Sequence, residues 1–183
     1  MKLFSEVSQS VLKEIRYVFT DIDDTLTDNG SLRASAYSAI EALDNAGIGV
    51  VPITGRPAGW CDLIARFWPV RGVVGENGAF YFRYQRQETR MERFYADSES
   101  QRQEKKKKLA ELATKIVEQV PSCAVSADQP YRETDLAIDF AEDVPRLGDK
   151  EIQHIVTLFE EAGATAKVSS IHVNGWFGQY DKL

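Results

Sequence analysis

Residues 18–30 read VFTDIDDTLTDNG, an apolar start followed by four aspartates within eight residues. The apolar run at 17–19 predicts a buried parallel strand, so the aspartates follow its carboxyl end. Because successive residues of an extended chain point to opposite sides, Asp21 and Asp23 can face one cavity while Ile22 faces the core. An isolated pair of this kind is also typical of a surface turn. The pair alone does not distinguish a functional site from a surface turn, so the surrounding sequence has to be considered.

Strand and helix patterns alternate beyond this stretch. Gly47 stands where a helix C-cap glycine belongs, and Pro57 can open a further helix. The predicted strands are 17–19, 48–53 and 72–74, the predicted helices are 35–46 and 57–67, and residues 79–84 form a hairpin arm. This order is typical of an α/β fold with a parallel sheet, which binds ligands at the carboxyl ends of its strands. The motifs DIDDT, TGRP and GENG all fall at such ends.

The second half of the chain differs from the first in polarity and in its pattern of helices and strands. Residues 85–108 are strongly polar and end in four lysines, which we interpret as a solvated helix face. The patterns that follow are a helix at 109–120, a half-buried strand at 136–140, a helix at 149–162 and two strands at 166–168 and 171–173. This half is predicted to be a small α+β module with antiparallel strands and two helices.

Composition and charge exclude several function classes. The 183 residues carry a net charge of -6, which argues against broad binding to nucleic acid or anionic membranes. No apolar run approaches the roughly 20 residues of a membrane span. Residues 1–16 suggest an amphipathic helix and no signal peptide. Cys61 and Cys123 form neither a disulfide framework nor a metal spacing, so we expect a cytoplasmic protein.

The paired carboxylates and two later motifs have a shared chemistry. A divalent cation relieves the repulsion between Asp21 and Asp23, and their oxygen ligands suit Mg²⁺. One carboxylate can then attack phosphorus while the other exchanges a proton with the leaving group. Thr54 and Gly55 offer anion-binding groups at a helix N-terminus, although Thr54 could also simply cap that helix. Lys182 is either a cation that neutralises phosphate charge or a solvated lysine.

The order DIDDTLT, then ITGRP, then a later lysine resembles that of the haloacid dehalogenase-like (HAD) phosphohydrolases. GENGA followed by a long α/β insert resembles their subfamily IIB, which carries a C2B-type cap. The resemblance covers essentially the whole chain. It implies an α/β, Rossmann-like parallel core with an inserted α+β cap. Residues 1–84 would be the first part of the core, 85–174 the cap, and 175–183 the return to the core.

The same resemblance implies a role for each motif residue. Asp21 would be the nucleophile that becomes an aspartyl-phosphate, and Asp23 the general acid and base. The implied cofactor is Mg²⁺, bound by Asp21 and by the backbone carbonyl of Asp23. The transferring phosphoryl group would be held by Thr54, Gly55 and Lys182.

The cap is expected to choose the substrate. Asn77 would face the site beneath the cap, and Arg132 and His172 are candidate substrate contacts, although His172 could also be a half-exposed strand residue. The implied activity is hydrolysis of a small phosphorylated metabolite, with a sugar phosphate as the expected substrate. Two alternatives stay open: a phosphotransferase such as a phosphomutase, and a catalytically weak fold that binds a phosphorylated ligand or a partner.

The resemblance also has a gap. The family's acidic fourth motif, which supplies further Mg²⁺ ligands, does not follow Lys182, and Gly148-Asp149 lies within the predicted cap. We therefore expect a fragment of a longer phosphatase, whose core is incomplete at its C-terminus. An incomplete sheet leaves an exposed edge, through which self-association is possible.

Overall fold

The computed structural model describes residues 3–182. The helices are α1 (Gln9–Glu14), α2 (Ala34–Asn45), α3 (Ala58–Phe67), α4 (Glu99–Gln119) and α5 (Asp149–Glu161). The strands are β1 (Tyr17–Thr20), β2 (Thr27–Asp28), β3 (Ser31–Leu32), β4 (Gly49–Pro52), β5 (Val73–Gly75), β6 (Phe80–Gln85), β7 (Arg90–Tyr95), β8 (Ala124–Val125), β9 (Asp135–Asp139), β10 (Thr165–Val168) and β11 (His172–Trp176). Short 3-10 helices cover Phe4–Glu6, Glu76–Gly78 and Gln129–Tyr131.

The part of the chain from β1 to β7, here called the core half, is built on a sheet with parallel and antiparallel strands. β1 pairs with β4 in parallel, and a parallel bridge between Ile53 and Val74 joins the end of β4 to β5. β5, β6 and β7 then follow as antiparallel neighbours. The buried face of α3 packs against this sheet, with Cys61 and Ile64 in an apolar core that also contains Phe82. The predicted α/β fold with parallel strands is confirmed.

The part of the chain from α4 to β11, here called the cap half, is one antiparallel sheet with two helices packed against it. The strand order is β10-β11-β9-β8, and α4 and α5 contact the sheet. A second apolar core fills the space between them and includes Leu112, Ile116, Ile155, Phe159 and Val173. The predicted α+β composition, with antiparallel strands and two helices, is what the structure has.

Burial along β9 differs from the prediction. The alternation of its residues suggested a half-buried strand, yet all of Asp135–Asp139 is buried. The polar residues of this strand are bonded to protein groups instead of water. Asp139 accepts hydrogen bonds from the backbone N–H groups of Ala141 and Glu142, and Asp135 accepts two from Arg132.

Residues 85–108 contain a strand and the first part of a helix that their polar composition did not predict. β7 pairs with β6 along its whole length. α4 begins directly after Ser98, whose hydroxyl accepts from the backbone N–H of Gln101 while the Gln101 side chain accepts from the N–H of Ser98. This capping box satisfies two free backbone donors and starts the helix well before the apolar positions that predicted it. The hairpin runs across the predicted boundary at residues 84 and 85, and the domain limits stay predictions.

The N-terminal helix is shorter than predicted. Over residues 1–16 the structure has only a 3-10 turn and α1, which buries none of its residues, and Met1 and Lys2 lie outside the described residues. Cys61 and Cys123 are free and buried. Among the helices of residues 3–182, none has the length and apolar character needed to cross a membrane.

β1 forms an edge of its sheet. Within residues 3–182, no strand pairs with the side of β1 that faces away from β4. Tyr17 and Phe19 on this strand are 57% and 63% exposed, which is unusual for aromatic residues in a strand. The sequence predicted a buried parallel strand here; the parallel pairing is present, but the predicted burial is wrong, because β1 has a neighbouring strand on one side only in the described part of the chain and none of its residues is buried.

Candidate functional site

A cavity of about 230 Å³ lies between the core half and the cap half, at the carboxyl ends of β1 and β4. Seven of the eight predicted site residues line it: Asp21, Asp23, Gly55, Asn77, Arg132, His172 and Lys182. The remaining lining residues are Asp24 and Arg56 from the core half and Lys167, Val168, Ser169, Ser170, Ile171 and Asn174 from the cap half. Thr54 is the predicted site residue that does not line the cavity.

Asp21 is held in a defined orientation at the end of β1. Its Oδ1 accepts a hydrogen bond of 2.7 Å from the backbone N–H of Ile22, and its Oδ2 lies 2.8 Å from Nζ of Lys182. Ile22 is 5% exposed and points into the apolar core, as the alternation predicted. The pair of Asp21 and Lys182 joins residues 161 positions apart in the chain. The structure thus places Lys182 beside Asp21, and its phosphate-binding role stays a prediction.

Asp23 is paired with Arg56. Nε of Arg56 lies 3.1 and 3.2 Å from the two carboxylate oxygens, and its second nitrogen donates at 2.8 Å. The guanidinium also lies over the ring of Trp60, 4.6 Å from the ring centroid. Sequence reasoning missed Arg56, although it stands inside the motif TGRP. Only the hydroxyl and the backbone amides of that motif were considered as partners for an anion.

Thr54 organises the turn after β4 from a fully buried position. Its Oγ1 accepts from the backbone N–H of Arg56 at 3.0 Å, and its own N–H donates to the carbonyl of Val74 at 2.9 Å. It does not cap α3, because Pro57 occupies the N-cap position. The alternative role as a helix cap was therefore wrong, and the phosphate-binding role stays a prediction.

Asn77 and Gly55 face each other at the cavity wall. Asn77 has a left-handed φ of 59° and is 3% exposed. Its Nδ2 has no hydrogen-bond partner among the described residues. A Cβ atom at Gly55 would lie 3.1 Å from Oδ1 of Asn77, so a side chain there would crowd the amide. The amide nitrogen of Asn77 is therefore a buried hydrogen-bond donor at the wall of the cavity.

Glu76, the residue before Asn77, ties the cap half to the core half. Its carboxylate accepts from the N–H of Ala58 at the start of α3, and from the N–H groups of Glu133, Thr134 and Asp135 before and in β9. Burial, together with the charge of Asp135, raises the pKa of Glu76 to about 7, although the donors around it act in the opposite direction. The internal carboxylate thus occupies the α3 terminus, where the sequence suggested an external anion.

Arg132 is the second tie between the two halves. Its guanidinium donates to the carboxylates of Asp128 and Asp135 at 2.9 to 3.0 Å and to the carbonyl of Gly55 at 3.1 Å. The residue is 3% exposed. Arg132 reaches the cavity as predicted, but its charge is already compensated by two carboxylates. A role as substrate contact stays a prediction.

His172 lies on the cap wall, at the start of β11. It is 3% exposed, so the alternative of a half-exposed strand residue was wrong, because β11 lies between β9 and β10 in the cap sheet. Its Nε2 is 2.9 Å from Oε2 of Glu142, but the two are too poorly aligned for a hydrogen bond.

The donor set of the cavity fits a hard divalent cation that shares its shell with a ligand. Asp21 and Asp23 offer carboxylate oxygens, and proteins usually hold Mg²⁺ by one or two carboxylates together with substrate phosphate. Across residues 3–182, no group of three or more His, Cys, Asp or Glu side chains could hold a metal. The residues therefore fit Mg²⁺ in kind, with substrate oxygens completing the shell.

A comparison with known families identifies the family of the chain. A family model described as haloacid dehalogenase-like hydrolase matches residues 18–171. The chain belongs to this family. The resemblance found in the motifs is thereby confirmed for most of the chain, from the acidic loop to the cap strands. A search of the curated proteins gave no match.

Solved structures share the fold of this HAD-like hydrolase. A Thermoplasma acidophilum protein matches with a TM-score of 0.69 at 18% identity, over 92% of this chain and 67% of that one. A phosphatase of the HAD enzyme superfamily from Bacteroides thetaiotaomicron gives 0.55 at 19%, over 97% and 72%. A sugar phosphatase of HAD subclass IIB gives 0.58 at 15%, over 92% and 72%. All three matches are below 20% identity and show that the fold is shared.

Proposed function

We propose that this HAD-like hydrolase is a Mg²⁺-dependent phosphomonoesterase that acts on a small phosphorylated metabolite. The observation that carries the proposal is the Asp21–Lys182 pair at the cavity wall. One oxygen of the carboxylate is fixed by a backbone N–H, and a cation stands beside the other. A nucleophile for phosphorus needs this combination of orientation and neighbouring positive charge.

The chain's residues account for both halves of the reaction. A carboxylate oxygen of Asp21 bonds to phosphorus while the bond from phosphorus to the ester oxygen breaks, and protonated Asp23 gives its proton to the leaving oxygen. Asp23 then takes a proton from water, whose oxygen bonds to phosphorus as the bond to Asp21 breaks. Inorganic phosphate leaves, Asp21 is again a carboxylate and Asp23 is again protonated. Asp23 must separate from Arg56 to accept and donate these protons.

Asp21, through its carboxylate, and Asp23, through its backbone carbonyl, are the residues that would hold Mg²⁺. The cation would neutralise charge on the phosphate and allow a carboxylate to approach it. Lys182 would also neutralise charge on the phosphate oxygens. Asn77, with its free Nδ2, would donate a hydrogen bond to the bound ligand, as would the turn that contains Thr54 and Gly55.

The size of the cavity supports a small substrate. At about 230 Å³ it is below the range of ~300–1,000 Å³ that is usual for drug-sized ligands. A sugar phosphate is the expected substrate class, since a structurally similar protein is a sugar phosphatase. The two free, buried thiols fit a reducing cytoplasm.

Hydrolysis of an aryl phosphate, measured with and without Mg²⁺, tests the proposal. We expect turnover only with the metal, and a loss of about 10³-fold or more in Asp21→Asn, because an amide is not a nucleophile. Asp28→Asn is the matched control, since Asp28 is paired with Arg33 on the surface and lies outside the cavity. Metal-dependent turnover that persists in Asp21→Asn would contradict the mechanism.

Ligand binding without turnover is a second candidate. It is favoured by one observation, that the described residues hold no group of three acidic, His or Cys ligands for a metal. Under this candidate, the chain binds inorganic phosphate or its analogue tungstate in calorimetry but hydrolyses no aryl phosphate at any Mg²⁺ concentration. Mg²⁺-dependent turnover of the chain would exclude it.

A further inference from the structure

The cations of the cavity differ in whether their charge is already balanced. Four cationic side chains line it. Three of them are paired with carboxylates: Lys182 with Asp21, Arg56 with Asp23, and Arg132 with Asp128 and Asp135. Lys167, the fourth, makes no ion pair with any residue among 3–182.

Lys167 is exposed and stands on the edge strand of the cap sheet. It lies on β10 directly opposite Asn174 of β11. Asn174 also lines the cavity, and its Nδ2 donates to the buried carboxylate of Asp135 at 3.1 Å. Lys167 and Lys182 both line a second, adjoining cavity together with Asp21. The free ammonium therefore belongs to the same end of the site as the nucleophile, but comes from the opposite half of the molecule.

We propose that Lys167 binds a second anionic group of the substrate, a carboxylate a few atoms away from the phosphate ester. This inference rests on the proposed phosphatase function and narrows its substrate to a phosphorylated hydroxy acid or sugar acid. The phosphate of such a substrate lies at Asp21 and Lys182. Its carboxylate lies at the cap wall and accepts a charge-assisted hydrogen bond from the ammonium group of Lys167. No carboxylate among residues 3–182 takes this place.

The other groups at the cavity are consistent with this placement. Nδ2 of Asn77 is a buried donor without a protein partner and faces the same space from the core wall. His172 lies beside the carboxylate of Glu142, so that part of the cap wall does not favour an anion. Asp24, which also lines the cavity, is exposed and makes no ion pair with Lys167. The anion is thus directed to Lys167 rather than to the histidine side.

Two substrates that differ only in the acidic group provide the test. 3-Phosphoglycerate and glycerol 3-phosphate have the same phosphate ester, and the first has a carboxylate where the second has a hydroxymethyl group. We expect the protein to prefer 3-phosphoglycerate in kcat/KM. In Lys167→Gln the KM for this substrate rises about tenfold or more, as expected for loss of a charged hydrogen bond, while values for glycerol 3-phosphate change less than about twofold.

Two variants and a binding measurement keep the result unambiguous. Lys167→Arg keeps the charge and is expected to retain the preference, and Lys150→Gln, an exposed lysine on α5, is the matched control. Calorimetry in EDTA with the wild-type chain measures binding of both compounds without turnover. If Lys167→Gln affects both substrates equally, or if binding shows no preference, the inference is overturned. If neither compound is hydrolysed but the acid binds through Lys167, the phosphatase proposal fails and the acidic ligand stands.

Discussion

Gly78 shows how one backbone position supports the candidate site. Its φ is +107°, a conformation that residues with a side chain rarely adopt. A Cβ atom at this position would overlap the carbonyl oxygen of Asp181, the residue before Lys182. The absence of a side chain at Gly78 therefore lets the segment that carries Lys182 approach the turn that carries Asn77.

Gly78→Ala is expected to lower both stability and activity. The strained φ costs about 1–3 kcal/mol of unfolding free energy, and displacement of Lys182 by about 1 Å can reduce turnover of an aryl phosphate about 100-fold. Urea unfolding and steady-state kinetics measure the two effects. Gly163→Ala is the matched control, because Gly163 has φ +77° with nothing within 4 Å of a built Cβ. It should lose stability and keep activity; normal turnover in Gly78→Ala would contradict this role.

Residues differ in how far the sequence could reveal them. Asp21 was predicted because its motif follows a core strand, and Lys182 because the order of the motifs resembles that of the HAD phosphohydrolases. Arg56 was available in its motif but was not considered as a partner of Asp23. Lys167 carried no signal, since an exposed lysine on a strand looks like any solvated lysine until the sheet register places it. The ties made by Glu76 depend on contacts 57 to 59 positions away, which local patterns cannot show.

At the level of elements, the edge strand β1 combines open hydrogen-bonding groups with two exposed aromatic rings. Tyr17 and Phe19 stack on each other with ring centroids 6.4 Å apart. An exposed apolar edge of this kind can pair with a second copy of the same strand. The prediction of self-association therefore depends on this single strand.

Phe19→Lys is expected to weaken self-association of the chain. A charge on the edge strand opposes pairing with another strand, which is how natural sheets protect their edges. Analytical ultracentrifugation over a range of protein concentrations should show association for the wild type and less for the variant. Phe67→Lys is the control, because Phe67 is 73% exposed but lies at the end of α3. An equal effect of the two variants would mean that general surface hydrophobicity, not the strand edge, is responsible.

The sequence predicted elements well where apolar periodicity was strong. α2, α3 and α5 begin and end within one or two residues of their predicted limits, since each has an apolar face and, in α2 and α5, a glycine with positive φ directly after the helix. β7 and the first part of α4 were missed because their residues are mostly polar. Both depend on partners that composition does not report, β7 on its pairing with β6 and α4 on its capping box.

For the whole molecule, the contact between the two halves depends on a small set of buried ionic groups. Glu76 binds the backbone before and in β9, and Arg132 binds the carbonyl of Gly55. Both groups are almost fully removed from water. Loss of Glu76 would leave buried backbone N–H groups without an acceptor, and loss of a carboxylate beside Arg132 would leave a buried charge poorly compensated, so each of these contacts links the two halves strongly.

The raised pKa of Glu76 predicts a pH dependence of stability. Between about pH 4.5 and about pH 7 the folded protein holds a proton that the unfolded chain has already released. The stabilising contribution is therefore complete below about pH 4.5 and is lost as the pH rises to about 7, with an upper limit of about 3 kcal/mol. Urea unfolding at pH 5 and pH 7.5 measures this difference, which should be smaller in Glu76→Gln. Any effect of His154 and His172 is present in both the wild type and Glu76→Gln. If the change in stability between pH 5 and pH 7.5 is the same in the two proteins, the pH dependence does not come from Glu76.

The ties made by Glu76 and Arg132 have a consequence for how binding energy is used. Since the protein's own side chains already hold the cap half against the core half, a ligand does not have to supply the free energy that assembles the cavity. More of its interaction with Lys182, Asn77 and the cap is then available for orienting the phosphate at Asp21.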